Sequence, residues 1–193
     1  MTHDKTTHDK TAAVTLLRRL AGRVPDEYLQ VFRGYLAAAE WKMFVNSLSG
    51  HLVDKRIALT ADERHLLDEV TGPGVSAKLP DLGTAEPAYR FTPAGPEPGK
   101  AEAWLLSVVP RVPGVRRVLA AFRQPADPTA IPLPTWVYLV ETDPGADVAH
   151  LQGDLRVGDP SRGVVEVFAA GEPLPPYHVE ALRAAREVWV RDT

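Results

Sequence analysis

Residues 72–74 read Gly-Pro-Gly, and the chain changes character across them. A Gly/Pro cluster of this kind ends a helix. Before it, apolar residues recur every three or four positions. After it, strand-like and helix-like stretches alternate. Such a chain is restricted to a helical part followed by a mixed α and β part.

Residues 12–72 are the expected helical region. Val14, Leu17, Leu20 and Ala21 keep the helical period. Pro25 opens a second helix, with Asp26 and Glu27 at the positive end of its dipole. Leu29, Phe32 and Leu36, joined by Tyr28, Val31 and Tyr35, give it a broad apolar face. Trp41, Phe44, Val45, Leu48 and Leu52 carry the period into a third helix. Thr60-Ala61-Asp62-Glu63 is a capping box that opens a fourth, bearing Leu66, Leu67 and Val70. Ahead of these, residues 2–11 repeat Thr-His-Asp-Lys-Thr without an apolar side chain, which predicts a disordered tail over 1–11.

Residues 73–87 read as a Pro/Gly-rich linker. In 88–193 the pattern predicts a strand at Ala88–Thr92 and a helix through Ala101, Trp104, Leu105 and Val108 that stops at Pro110. Strands follow at Val115–Arg123 and Thr135–Thr142, with a proline-rich stretch at 125–134 between them. A helix at Ala146–Leu155, a strand at Val164–Ala169 and a helix at Pro176–Arg191 complete the order. This is the split β-α-β pattern with one extra helix. The expected class is α+β: about four helices, then a ferredoxin-like antiparallel sheet with helices on one face.

Two resemblances add to this reading. The helix leading into Pro113-Gly114-Val115-Arg116-Arg117-Val118, the proline-rich turn, and Val137-Tyr138-Leu139-Val140-Glu141-Thr142-Asp143 resemble the C-terminal domain of the enhanced-serine-sensitivity (SseB) family. That likeness implies a small α/β module without an accepted catalytic centre, often attached to secretion or toxin systems. Val53-Asp54-Lys55-Arg56-Ile57-Ala58-Leu59-Thr60 resembles segments of proteins from high-GC bacteria, some of which act beside toxins as immunity proteins. Neither resemblance carries a functional residue over to this chain.

Composition narrows the chemistry. There is no cysteine, so disulfides, thiolate zinc sites and a cysteine nucleophile are excluded. The net charge is -3 and no basic block stands out, which argues against nucleic-acid binding. No run of 18 apolar residues is present, and the N-terminus lacks the apolar core of a secretory signal, so a cytoplasmic location is expected. Gly95-Pro-Glu-Pro-Gly99-Lys100 has the wrong spacing for a phosphate cradle, and its prolines remove backbone donors. No serine lies in Gly-x-Ser-x-Gly.

Three His/Asp pairs lie three residues apart: His51/Asp54, Asp62/His65 and Asp147/His150. Two such pairs on meeting helices would make a metal site; ordinary surface pairing is the simpler reading. Glu141 and Asp143 end the strongest strand, where an acidic pair with His150 would suit general acid–base work. Pro144-Gly145 makes Asp143 a turn former instead. Aromatic side chains with the right period belong in the core, whereas those facing out would anchor an interface. The expectation is a binding protein with no catalytic residue, cofactor or metal. Its partner is another protein, a toxin or a secreted client, engaged through Tyr28, Tyr35, Trp41, Arg56, Glu141 and Asp143. A secretion-system adaptor with an apolar groove, and a small-molecule sensor or enzyme using the sheet face, are the alternatives.

Overall fold

The structure is a computed structural model that describes residues 2–80, 83, 89–126, 133–156 and 163–191, with side chains from Asp9 onward. The chain divides into two compact units, Met1–Pro87 and Ala88–Thr193. Among the described residues the class is α+β, with the helices of the first unit preceding a five-stranded sheet in the second.

The first unit holds α1 (Thr2–Arg19), α2 (Asp26–Ala37), α3 (Trp41–Asp54) and α4 (Ala61–Thr71). Helix α1 starts at Thr2, so the pentapeptide repeat is its first half and not the expected tail. No Gly or Pro interrupts residues 2–19, and a helix nucleated over Ala12–Leu20 extends at little cost. Leu16 and Leu17 of α1, Phe32 of α2, Phe44 and Leu48 of α3, and Leu67 of α4 are buried. The expected capping box opens α4: Thr60 Oγ1 accepts from Glu63 N at 3.3 Å, and the Glu63 carboxylate accepts from Thr60 N at 2.8 Å. That carboxylate is 1% exposed and also takes Arg23 Nη1 at 2.7 and 2.9 Å. Residues 73–80 are fastened to α4 and are not a free linker. Arg64 donates to the carbonyls of Ser76 (2.8 Å) and Pro80, and Ser76 Oγ donates to Asp68 at 2.8 Å. Residues 81–82 and 84–87 of the expected linker lie outside the described residues, as do 127–132 of the proline-rich stretch.

The second unit runs β1 (Tyr89–Thr92), α5 (Gly99–Val108), β2 (Val115–Pro125), β3 (Thr135–Thr142), α6 (Val148–Asp154), β4 (Val164–Ala169), α7 (Pro176–Ala184) and β5 (Arg186–Val190). The strand order is β1-β2-β3-β4, and β5 pairs with β2 beside β1. Three details correct the sequence expectation. The sheet is mixed, because α6 crosses over between β3 and β4 and returns the chain parallel; the strands follow chain order and lack the ferredoxin-like interleaving. Helices cover both faces. Ala101 and Leu105 of α5 and Leu155 after α6 pack with Val118, Tyr138 and Val167. On the other side Ala181 of α7 packs with Leu119, Val137, Leu139 and Phe168. Strand β3 is buried from Thr135 to Val140, so both its faces need cover. Finally, the last helix stops at Ala184, and Arg186–Val190 is a strand. Val188 and Val190 are β-branched and suit a strand.

The sheet edges are closed by specific devices. On β4, the Gln152 side chain of α6 donates to Val165 O (2.6 Å) and accepts from Val167 N (2.8 Å). Its amide thus stands in for a neighbouring strand. On β5, a register shift leaves Val188 without a partner on β2. Val188 and Trp189 consequently both pack on the α5/α6 side. Such a bulge breaks the regular edge that another strand would need.

Candidate interaction face

Helix α2 buries Leu29, Phe32 and Leu36 and turns Tyr28, Val31 and Tyr35 the other way. The spacing i, i+3, i+7 places these three on one stripe. Tyr28 is 40% exposed and Val31 46%, while Tyr35 is half-buried. On α3, Met43 is 47% exposed and Trp41 is half-buried with its ring 5.4 Å from Phe44. Both helices end by the same closure. Glu40 N donates to Tyr35 O at 2.8 Å around Ala39, and Ile57 N donates to Leu52 O at 3.0 Å around Arg56. These are six-to-one closures of the Schellman type, with Ala39 at φ 57° and Arg56 at φ 51° where glycine is favoured. Arg56 is exposed.

His51 lies behind this stripe. Its ring centroid is 4.2 Å from that of Tyr28 and 5.8 Å from that of Phe32. It is 9% exposed, and its Nε2 is buried with no hydrogen-bond partner. Burial holds its pKa below the ordinary 6.5, and Lys55 pushes the same way. An imidazolium carries N–H on both ring nitrogens, so protonation would bury an unpaired charged donor. That costs about 1–3 kcal/mol or more. A cation over a tyrosine face returns only about 0.5–1 kcal/mol at a partly exposed site. The neutral ring therefore suits the stack.

The other sequence candidates are dispersed. Glu141 faces Arg117 across the β2–β3 ladder and accepts from its Nε (3.1 Å) and Nη2 (2.7 Å). Asp143 is exposed, 4.0 Å from Arg116, and starts the expected turn by accepting from Ala146 N at 3.2 Å. Asp147 caps α6 at His150 N (3.1 Å), and the His150 ring sits 3.3 Å from Asp154. Asp62 pairs with Arg19 at 3.2 Å and His65 with Glu69 at 3.4 Å, so neither completes its expected pair. Asp54 pairs with Lys55 at 3.0 Å, not with His51, and this contact holds the Lys55 pKa up. Among the described residues no three of His, Asp and Glu converge as metal ligands.

Compared with protein-family models, curated proteins and solved structures, the chain matches none. Its site must be read from its own chemistry.

Sequence reasoning missed one buried polar set. His178 Nε2 lies 3.0 Å from Glu166, with the two side chains 1% and 2% exposed, and His178 Nδ1 has no hydrogen-bond partner. Arg123, 0% exposed, donates to Tyr177 Oη (3.0 Å) and Leu133 O (2.9 Å) and stacks over Tyr89. These contacts fasten the first turn of α7 to the sheet. No local signal gives them away: Arg123 follows the apolar run Val118–Phe122 and Glu166 interrupts an otherwise apolar strand, and their partners lie far off in sequence. Among the tryptophans, Trp136 is core, with its Nε1 donating to Pro96 O at 2.9 Å, whereas Trp104 is 38% exposed. Among the described residues of this unit Leu133 and Val190 are the other large exposed apolar side chains, Leu133 in the loop before β3 and Val190 on β5, so the three are far apart in sequence. Apolar residues scattered singly are ordinary on a surface.

Proposed function

We propose that this protein binds another protein through the outward stripe of α2 and performs no chemistry of its own. The observation that carries this reading is the exposure of Tyr28 and Val31 on successive turns of one helix. Large apolar side chains grouped in this way mark contact surfaces, and tyrosine ranks among the strongest interface anchors. The acids and histidines that suggested chemistry are engaged instead by Arg117, by the α6 backbone and by one another.

The sharpest form is an immunity protein, held in the cytoplasm, that neutralises a cognate bacterial toxin by covering its active cleft. The likeness at Val53–Thr60 supports that form, and the SseB-like likeness of the second unit agrees with it. Among the described residues no helix is long and apolar enough to cross a membrane.

The test is capture from the native host with three baits: wild type, Tyr28→Ala/Val31→Asp, and Glu187→Ala, whose exposed site lies in the second unit. Wild type and Glu187→Ala should retain one protein in near-equal amount, and the α2 variant should lose it at least tenfold. Expressed alone, that protein should arrest growth, and wild type should relieve the arrest. Equal retention by the α2 variant contradicts the face. A captured protein that is harmless contradicts the immunity form.

A further inference from the structure

We propose that His51 makes the α2 face acid-sensitive: its imidazole, closed between Tyr28 and Phe32 with Nε2 buried and unpaired, accepts a proton only when Tyr28 swings off it. The inference rests on the reading of α2 as the docking face and adds its regulation.

Three independent features meet at this residue. Tyr28 is at once the nearer of the two rings on His51, tilted 38° against it, and a half-exposed member of the stripe. The stack therefore links a buried titratable ring to a surface that a partner would touch. Nε2 faces no acceptor, so the closed arrangement has nothing to receive a second N–H. Phe32 is 1% exposed and fixed in the core, which leaves Tyr28 as the side that can move. The charged groups facing the ring are Glu27 on α2 and Asp54 and Lys55 on α3. Asp54 is tied to Lys55 at 3.0 Å, which blunts its attraction for a proton on the ring. Once Tyr28 has moved, water reaches Nε2 and solvates the new donor. The flat aromatic surface offered at neutral pH is then replaced by an open, cationic one. A partner fitted to the stacked form is released.

The experiment follows the His51 and Tyr28 ring resonances of the full chain by NMR between pH 8 and pH 4.5. The His51 midpoint should lie below 6.5, and the Tyr28 ring signals should move with the same midpoint. Tyr28→Ala should raise the His51 midpoint, and His51→Gln, which cannot take the proton, should abolish the step in the Tyr28 signals. Tyr28 signals that stay still while His51 titrates overturn the proposal, as does a step that survives in His51→Gln. Capture separates this from the face itself. Partner retained by wild type at pH 7.5, lost at pH 5.5 and kept at pH 5.5 by His51→Gln supports the gate. Equal retention by wild type at both pH values overturns the gate and leaves the face standing. Retention that ignores Tyr28→Ala/Val31→Asp at pH 7.5 removes the face.

Discussion

Ala39 and Arg56 hold left-handed backbone at the ends of α2 and α3. An L-residue there costs about 1–2 kcal/mol, and glycine escapes this cost. Glycine also loosens the unfolded chain by about 0.4–1 kcal/mol, which offsets part of the gain. Ala39→Gly should therefore stabilise the protein by about 0.5–1 kcal/mol, seen as a rise in urea midpoint without change in slope. Arg56→Gly should do the same, and capture with that variant tests whether its cation also serves binding. The Glu166–His178 pair is the opposite case. Removing His178 leaves a buried carboxylate without this partner, and His178→Ala should lose about 3–5 kcal/mol. Glu166→Gln/His178→Ala should lose less than the two single changes added together, because the pair is coupled. At this scale the sequence was partly legible. The register Phe44, Leu48, His51, Leu52 already points His51 inward. Its contact with Tyr28 depends on how α2 packs against α3, which no local spacing encodes.

The elements divide by how far each depends on distant partners. Helices α2, α3 and α4 and strands β2, β3 and β4 follow from period and caps, and they lie where those signals put them. Strand β5 does not. Ala185 and Trp189 are four apart and fit a helix, while Val188 and Val190 alternate and fit a strand. The free side of β2 decides between them, and β2 is far away in sequence. Helices on both faces were foreshadowed by the unbroken apolar run Trp136–Val140, which one covered face cannot satisfy. The Gln152 contact is wholly tertiary. Gln152→Ala should remove the side-chain amide that Val165 O and Val167 N bond at this edge and destabilise the protein by about 1–3 kcal/mol. Hydrogen exchange at the Val167 amide should quicken more than at the β2–β3 ladder; uniform quickening would contradict the edge role. In the capping box, Glu63→Ala should cost more than Thr60→Ala. Glu63 loses both a cap and a buried ion pair, about 3–5 kcal/mol, against about 1 kcal/mol for a cap alone.

Across the whole molecule, the Gly-Pro-Gly break and the change in pattern beyond it foretold helices followed by a mixed part. They could not say that residues 73–80 pack back on α4, because Arg64 supplies those contacts from an earlier element. The same distance effect limits the candidate site: the sequence marks Tyr28 and Tyr35 as aromatics, but only the fold sorts exposed from covered. Stability should depend on pH through His51. Its folded pKa is depressed, so the unfolded chain takes the proton first as pH falls. Its contribution is fully present above 6.5 and is lost below it as pH approaches the folded value. The melting temperature of wild type should fall between pH 7.5 and pH 5.5 by more than that of His51→Gln; equal falls would contradict this assignment.

The most direct measurement is a hydrogen-exchange footprint of the full chain with and without the captured partner at pH 7.5. Slowed exchange should concentrate on residues 26–37, with the β2–β3 ladder unchanged. Protection centred on the sheet unit, with residues 26–37 exchanging as in the free protein, would contradict binding through α2.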